Sequence, residues 1–230
     1  MCGIFGIIHT AVVEAQAFYQ LAQLNLTRGN LAFGYLTGRF GETDVETNVF
    51  RYPQPFLPNL VQFDEVQMAL GHIRAPTGGQ SPNERDIHPL EVTDAWLAHN
   101  GLLLNHWQHP EWQLNADSQI DSQFILGGIQ TQLRAGLPPA QAIRDTVEKL
   151  DGQQACWLWH KSTGTLYLWR VMSPIYVQQT PEQFVFSSVK PSPVSELLSE
   201  GVVYRFRPEL MTLEQVDYFG FYSPYQINEK

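Results

Sequence analysis

Met1-Cys2-Gly3-Ile4-Phe5-Gly6-Ile7-Ile8 opens the chain with a thiol at the second residue, followed by a short apolar run bounded by small residues. Such a run reads as a buried strand. A small second residue permits removal of Met1, and the new first residue then carries a thiol beside a free α-amine. An unperturbed thiol titrates near about 8.5 and an α-amine near about 7.7 to 8.0. One terminal residue can therefore supply both a nucleophile and a base.

Outward from this strand, Val13, Ala17, Leu21 and Leu24 share one helical face and predict a helix over 12–26, ended by Arg28-Gly29-Asn30. Residues 32–37 and 45–52 predict a hairpin around Gly38-Arg39-Phe40-Gly41, and the proline-rich 53–58 a surface connection. Strands follow at 67–73 and 95–98, separated by a polar loop over 77–89 of a length that is more often functional than idle. After an irregular stretch, Ile120, Phe124, Ile125, Ile129 and Leu133 mark one helix and 139–150 a second. Further strands are expected at 155–159, 165–171, 175–179, 184–187 and 202–206, with a short helix over 191–198 and no pattern after Tyr218. Clusters of strands flanking a helical pair, rather than alternating with helices, argue for an α+β fold of packed antiparallel sheets with outer helices.

Composition narrows the function. The chain has 230 residues, 14 Lys+Arg against 23 Asp+Glu, a net charge of −9, and 43% hydrophobic and 16% charged residues. That is enough apolar material for one generous domain over 1–230 without disulfides or a structural metal. An acidic chain without a basic run is a poor partner for nucleic acid. No segment reaches the roughly 18 apolar residues of a membrane span, and no signal peptide is evident, so a cytoplasmic location is expected. Cys156, in the apolar run 155–159, reads as a small core residue, whereas Cys2 does not. Five of the seven histidines fall between residues 72 and 109, but their spacings match no zinc signature. No metal or other cofactor is expected, and His72 and His99 read as buried, hydrogen-bonded neighbours of the active loops.

Four segments carry groups suited to amide cleavage. Cys2-Gly3-Ile4-Phe5-Gly6 offers the thiol. Gly71-His72-Ile73-Arg74-Ala75-Pro76-Thr77-Gly78-Gly79 sets an arginine, a planar bidentate grip for a carboxylate, at a strand end. In Leu97-Ala98-His99-Asn100-Gly101 a side-chain amide and a following backbone N–H can both face a developing oxyanion. Gln119-Ile120-Asp121-Ser122-Gln123 puts a carboxylate at a helix start. Taken alone, Asn100-Gly101 also fits a type I′ turn, and Arg74 and Asp121 fit a structural ion pair or a helix-terminal charge.

Taken together, Met1-Cys2-Gly3-Ile4, Gly71-His72-Ile73-Arg74-Ala75-Pro76-Thr77, His99-Asn100-Gly101 and Asp121-Ser122 stand in the order and at the spacing of a known family. The chain resembles the glutaminase domain of class II glutamine amidotransferases, in the N-terminal nucleophile hydrolase superfamily. Weaker likeness continues through Asp151-Gly152, Ser173-Pro174 and Phe186-Ser187-Ser188-Val189-Lys190. The resemblance implies a four-layer αββα sandwich of two antiparallel sheets and no cofactor. It implies that Cys2, freed of Met1, attacks the carboxamide of L-glutamine, with Asn100 and Gly101 holding the oxyanion. Arg74, Thr77, Asp121 and Ser122 would bind the substrate, Arg74 gripping its α-carboxylate and Asp121 its α-ammonium. Thr27-Arg28-Gly29-Asn30-Leu31-Ala32-Phe33-Gly34 departs from the family's pattern by placing Leu31 where an Asp is usual, which touches any coupling role of that Asp.

In such families the ammonia passes to a synthetase or transferase domain. No pyrophosphatase loop or Walker loop occurs in these 230 residues, so a separate acceptor protein is expected. Two alternatives stay open: a stand-alone hydrolase of other γ-glutamyl amides, and a non-catalytic glutamine-binding regulatory subunit.

Overall fold

Alternation of apolar residues sorts the strands of this protein into inner and outer faces, and that sorting builds the layers. The computed structural model describes residues 2–41, 44–75, 83–118 and 120–221. Its strands are β1 (Gly3–His9), β2 (Ala32–Phe40), β3 (Val45–Tyr52), β4 (Met68–Arg74), β5 (Leu90–Glu91), β6 (Ala95–Leu103) and β7 (Gly152–His160), then β8 (Thr165–Val171), β9 (Tyr176–Gln179), β10 (Gln183–Ser187), β11 (Glu196–Leu197), β12 (Val202–Arg207) and β13 (Thr212–Tyr218). The helices are α1 (Ala15–Asn25), α2 (Ser122–Arg134) and α3 (Pro139–Val147). One sheet runs β11-β9-β10-β1-β4-β2-β3 and the other β13-β12-β8-β7-β6-β5, with neighbouring strands antiparallel.

In β1, Ile4 and Ile8 point between the sheets while Phe5 and Ile7 point to α1, where Phe18, Leu21 and Ala22 cover them. The second sheet mirrors this: Trp157 and Trp159 of β7 join the inter-sheet core, and Cys156 and Leu158 face α2 and α3. The result is the expected order of layers, helix, sheet, sheet, helices. Cys156 is fully buried under α2 and α3, as expected of a core thiol. The indole N–H of Trp157 donates to the carbonyl of Gly71 at 3.2 Å and so ties the second sheet to the first. No helix among the described residues is long and apolar enough to cross a membrane.

Local departures from the sequence reading have physical reasons. The hairpin does not turn at Gly38, because β2 stays in register through Phe40 opposite Val45. Gly38 pairs with Thr47 of β3 on one side and Met68 of β4 on the other. Residues 191–198 do not form a helix, because Val194 and Leu197 are exposed and offer no face to bury. Instead Glu196 and Leu197 pair with β9 as a short edge. β6 continues to Leu103, and β13, an edge strand with weak alternation, was not legible.

Near one end of the inter-sheet core His72 and His88 lie tilted against one another, ring centroids 4.2 Å apart. Both are buried as expected of His72, but none of their four ring nitrogens has a hydrogen-bond partner among the described residues. Burial, reinforced by the Arg74 charge, pushes His72 down to about 3. Burial, then the neighbouring His72, His99, Arg74 and Arg51, holds His88 well below its ordinary value. Both imidazoles are thus neutral in the fold, whereas in the unfolded chain each takes up a proton as pH falls through about 6.5. Their contribution is fully present above that pH and is lost below it. Urea unfolding is expected to show a fall of about 2.7 kcal/mol between pH 7.5 and pH 5.5 for the two groups together, and His88→Gln is expected to halve it; a stability flat across this range contradicts the assignment.

Candidate active site

The site forms where β1 begins and β4, β6 and β10 end. Cys2 precedes β1 and is half-buried. Its Sγ accepts the N–H of Ala75, the residue after β4, at 3.4 Å, and its carbonyl accepts Arg28 Nε at 2.8 Å. Burial pushes the thiol above its ordinary value, the Ala75 N–H and the Arg74 cation pull it back, and the Asp121 carboxylate pushes it up again. The net effect favours the protonated thiol.

Arg74 closes β4, half-buried, with Nη1 donating to the Asp86 carbonyl at 3.3 Å. Asp86 in turn accepts the Ser118 hydroxyl at 2.6 Å, which fixes the segment next to the arginine. Leu31 donates its backbone N–H to the Arg74 carbonyl at 2.8 Å. That bond needs no particular side chain, so the Leu31 departure leaves this part of the site intact.

Asn100 and Gly101 lie inside β6, opposite Ala155 and Gln154, which dismisses the turn reading. Asn100 is fully buried; its Nδ2 is 3.4 Å from Ser188 Oγ, and its Oδ1 has no hydrogen-bond partner among the described residues. At Gly101 a Cβ would lie 1.8 Å from the Gln153 carbonyl oxygen, so only glycine allows this approach. Asp121 precedes α2, and its Oδ2 accepts the Leu103 N–H at 2.7 Å. Ser122, expected on the substrate, is buried, with its hydroxyl 2.9 Å from His99 Nδ1. His99 Nε2 lies 3.2 Å from the Gln153 carbonyl. A carbonyl only accepts, so Nε2 of His99 is the donor in that contact. Its Nδ1 is also 3.9 Å from Asp121 Oδ1.

The structure thus brings Cys2, Arg74, Asn100, Gly101, Asp121 and Ser122 to one end of the sandwich, while Thr77 lies outside the described residues. Sequence reasoning missed the supporting contacts of Ala75 and Ser188 and, although it read His99 as buried and hydrogen-bonded, the link from His99 to Ser122. Each sits within or beside a quoted motif, but its partner is distant in sequence.

Comparison with known proteins agrees with this geometry. The glutamine amidotransferase domain family matches residues 77–192, half of the chain, a span that includes Asn100, Gly101, Asp121 and Ser122. The glutamine--fructose-6-phosphate aminotransferase [isomerizing] of Zymomonas mobilis is 27% identical over 187 residues, covering 77% of this chain and 30% of that protein. Its counterpart in Vibrio vulnificus is 27% identical over 162 residues, covering 66% and 25%. The chain therefore spans between a quarter and a third of the length of these curated relatives. Among solved structures, glutamine phosphoribosylpyrophosphate amidotransferase from B. subtilis, complexed with ADP and GMP, superposes with TM-score 0.68 at 20% identity, over 93% of this chain and 49% of that one. A glutamine aminotransferase class-II domain protein from Silicibacter pomeroyi gives TM-score 0.62 at 13% identity, over 95% of this chain and 100% of that one. With residues 77–192, half of its length, matched by the family model, the chain belongs to the glutamine amidotransferase domain family.

Proposed function

We propose that residues 1–230 form one glutaminase domain that hydrolyses the side-chain amide of L-glutamine to glutamate and ammonia through a γ-glutamyl thioester on Cys2. The observation that carries this reading is the joining of the strand ends: the Cys2 sulfur accepts the N–H of Ala75, the neighbour of Arg74, Ser188 links Ile4 to Asn100 across the sheets, and Asp121 is tied to the end of the Asn100 strand through the Leu103 N–H. Glutamine is a zwitterion at its α-carbon, and one fixed cation with one fixed anion is the complement it requires. Arg74 grips the α-carboxylate and Asp121 the α-ammonium; Thr77 belongs to the same pocket, and Ser122 serves it through His99.

With Met1 removed, the Cys2 α-amine takes the thiol proton as sulfur attacks the carboxamide carbon. Electrons move onto the amide oxygen, where the Asn100 side-chain N–H and the Gly101 backbone N–H receive them. Collapse of this adduct breaks the carbon–nitrogen bond, and the leaving nitrogen takes the proton from the amine, departing as ammonia. Water then cleaves the thioester by the same path and restores the thiol.

Ammonia is delivered to a separate synthetase or transferase protein. Members of the family hand ammonia to an acceptor domain or partner, and the curated relatives extend well beyond the matched span. On β6, Leu102 continues the face that carries Asn100, and Leu104 lies one step further. Both are 60% exposed, with Trp107 beside them donating its indole N–H to the Leu104 carbonyl. An apolar rim next to the oxyanion residue favours an acceptor that covers it.

Three substitutions are expected to separate the roles in a glutamate-release assay, run with and without the acceptor. Cys2→Ala abolishes turnover. Asn100→Ala lowers kcat by about 100-fold to 1,000-fold with little change in KM. Arg74→Lys raises KM by about 30-fold to 100-fold, the loss of a bidentate charge-assisted grip. Poor use of glutamine beside good use of larger γ-glutamyl amides, even with the acceptor present, would instead favour the amide-hydrolase alternative. An unaltered rate in Cys2→Ala overturns the proposal.

A further inference from the structure

Ser188 is buried just beyond β10, and its two polar groups are both spent on joining elements that the reaction must keep in register. Its backbone N–H donates to the Ile4 carbonyl at 2.8 Å, and its Oγ accepts the Ile4 N–H at 3.1 Å. Ile4 is two residues from Cys2, so the serine is clamped to the nucleophile's strand from both sides. The same Oγ lies 3.4 Å from Nδ2 of Asn100, which belongs to the opposite sheet. We infer that Ser188 is a positioning residue for amide hydrolysis, its hydroxyl holding the Asn100 carboxamide against the strand that carries Cys2.

The polar inventory around Asn100 supports this. The carboxamide is fully buried and Oδ1 has no partner among the described residues, so Ser188 is the group that sets its orientation. A hydroxyl both donates and accepts. It can receive one Nδ2 hydrogen and leave the other for the oxyanion, or donate to Oδ1 after a half-turn of the amide and leave both Nδ2 hydrogens for it. In either orientation the serine fixes the donor at hydrogen-bond range of the sulfur's strand, and an oxyanion donor loses most of its effect when it is free to rotate. The preceding residue, Ser187, is engaged elsewhere, since its Oγ accepts from Asn25 Nδ2 and from the Val189 N–H and so anchors the end of α1.

The inference rests on the oxyanion role proposed for Asn100, and a double-mutant cycle distinguishes failure of one from failure of the other. Ser188→Ala is expected to lower kcat for glutamine by about 10-fold to 100-fold with KM within about 2-fold. It is expected to weaken, by a similar factor, calorimetric binding of glutamate γ-semialdehyde, whose adduct with Cys2 loads the oxyanion position. In an Asn100→Ala background the same substitution is expected to change neither quantity further. If Asn100→Ala itself leaves kcat and aldehyde binding intact, the oxyanion reading has failed. If it lowers both while Ser188→Ala alone does not, or if the two losses multiply, Ser188 does not act through Asn100 and the inference is overturned. Should Ser188→Ala not fold, Ser188→Cys, which keeps the volume and hydrogen-bonds weakly, takes its place in the cycle with the same expected and contrary results.

Discussion

Face-to-face packing of the two antiparallel sheets is the constraint on which the site depends, because Cys2 and Arg74 belong to one sheet and Asn100, Gly101 and Asp121 to the other or its helix. Sheets packed this way lie about 10 Å apart, a gap that aromatic side chains fill in the middle and that polar groups span at the end. Trp157, Trp159, Phe184, Phe186 and Phe206 supply the filling, all essentially inaccessible to solvent. Two hydrogen bonds cross the gap toward the site end, from the Trp157 indole to the Gly71 carbonyl and between Asn100 and Ser188. The core thus sets the spacing of the sheets, and the polar ties set how their ends face one another.

That arrangement also accounts for the polar groups left without partners. His72 and His88 lie tilted against one another with four unpaired ring nitrogens among the described residues, and Asn100 Oδ1 is unpaired too. Each unpaired buried group costs on the order of 1 to 3 kcal/mol, and such costs concentrate where a fold holds groups ready for another purpose.

Most of the fold was legible from residue order because it rests on period-two alternation, which survives in β1, β6, β7 and β8 as separate inner and outer sets. The legible part stops where packing overrides local signals. Gly38 looks like a turn and pairs with Thr47 and Met68 inside β2, and Asn100-Gly101 looks like a hairpin turn and pairs with Ala155 and Gln154 of β7. The grouping of Cys2, Arg74, Asn100, Gly101 and Asp121 was legible through the motifs that contain them. Ser188 was quoted in a weak motif without a role, because its partners Ile4 and Asn100 are 184 and 88 residues away in sequence. His99 was read as buried and hydrogen-bonded, and it is; its link to Ser122 depends on a contact between β6 and α2 that no spacing rule displays.

The central claim is that Cys2, as the first residue of the mature chain, is the nucleophile toward a glutamine-shaped substrate. Intact-mass measurement of the purified protein before and after incubation with the glutamine-derived diazoketone 6-diazo-5-oxo-L-norleucine, with peptide mapping of the adduct, tests it most directly. The account predicts loss of Met1 and a single adduct on Cys2 that excess glutamine prevents. Retention of Met1 with no label on Cys2 would contradict it.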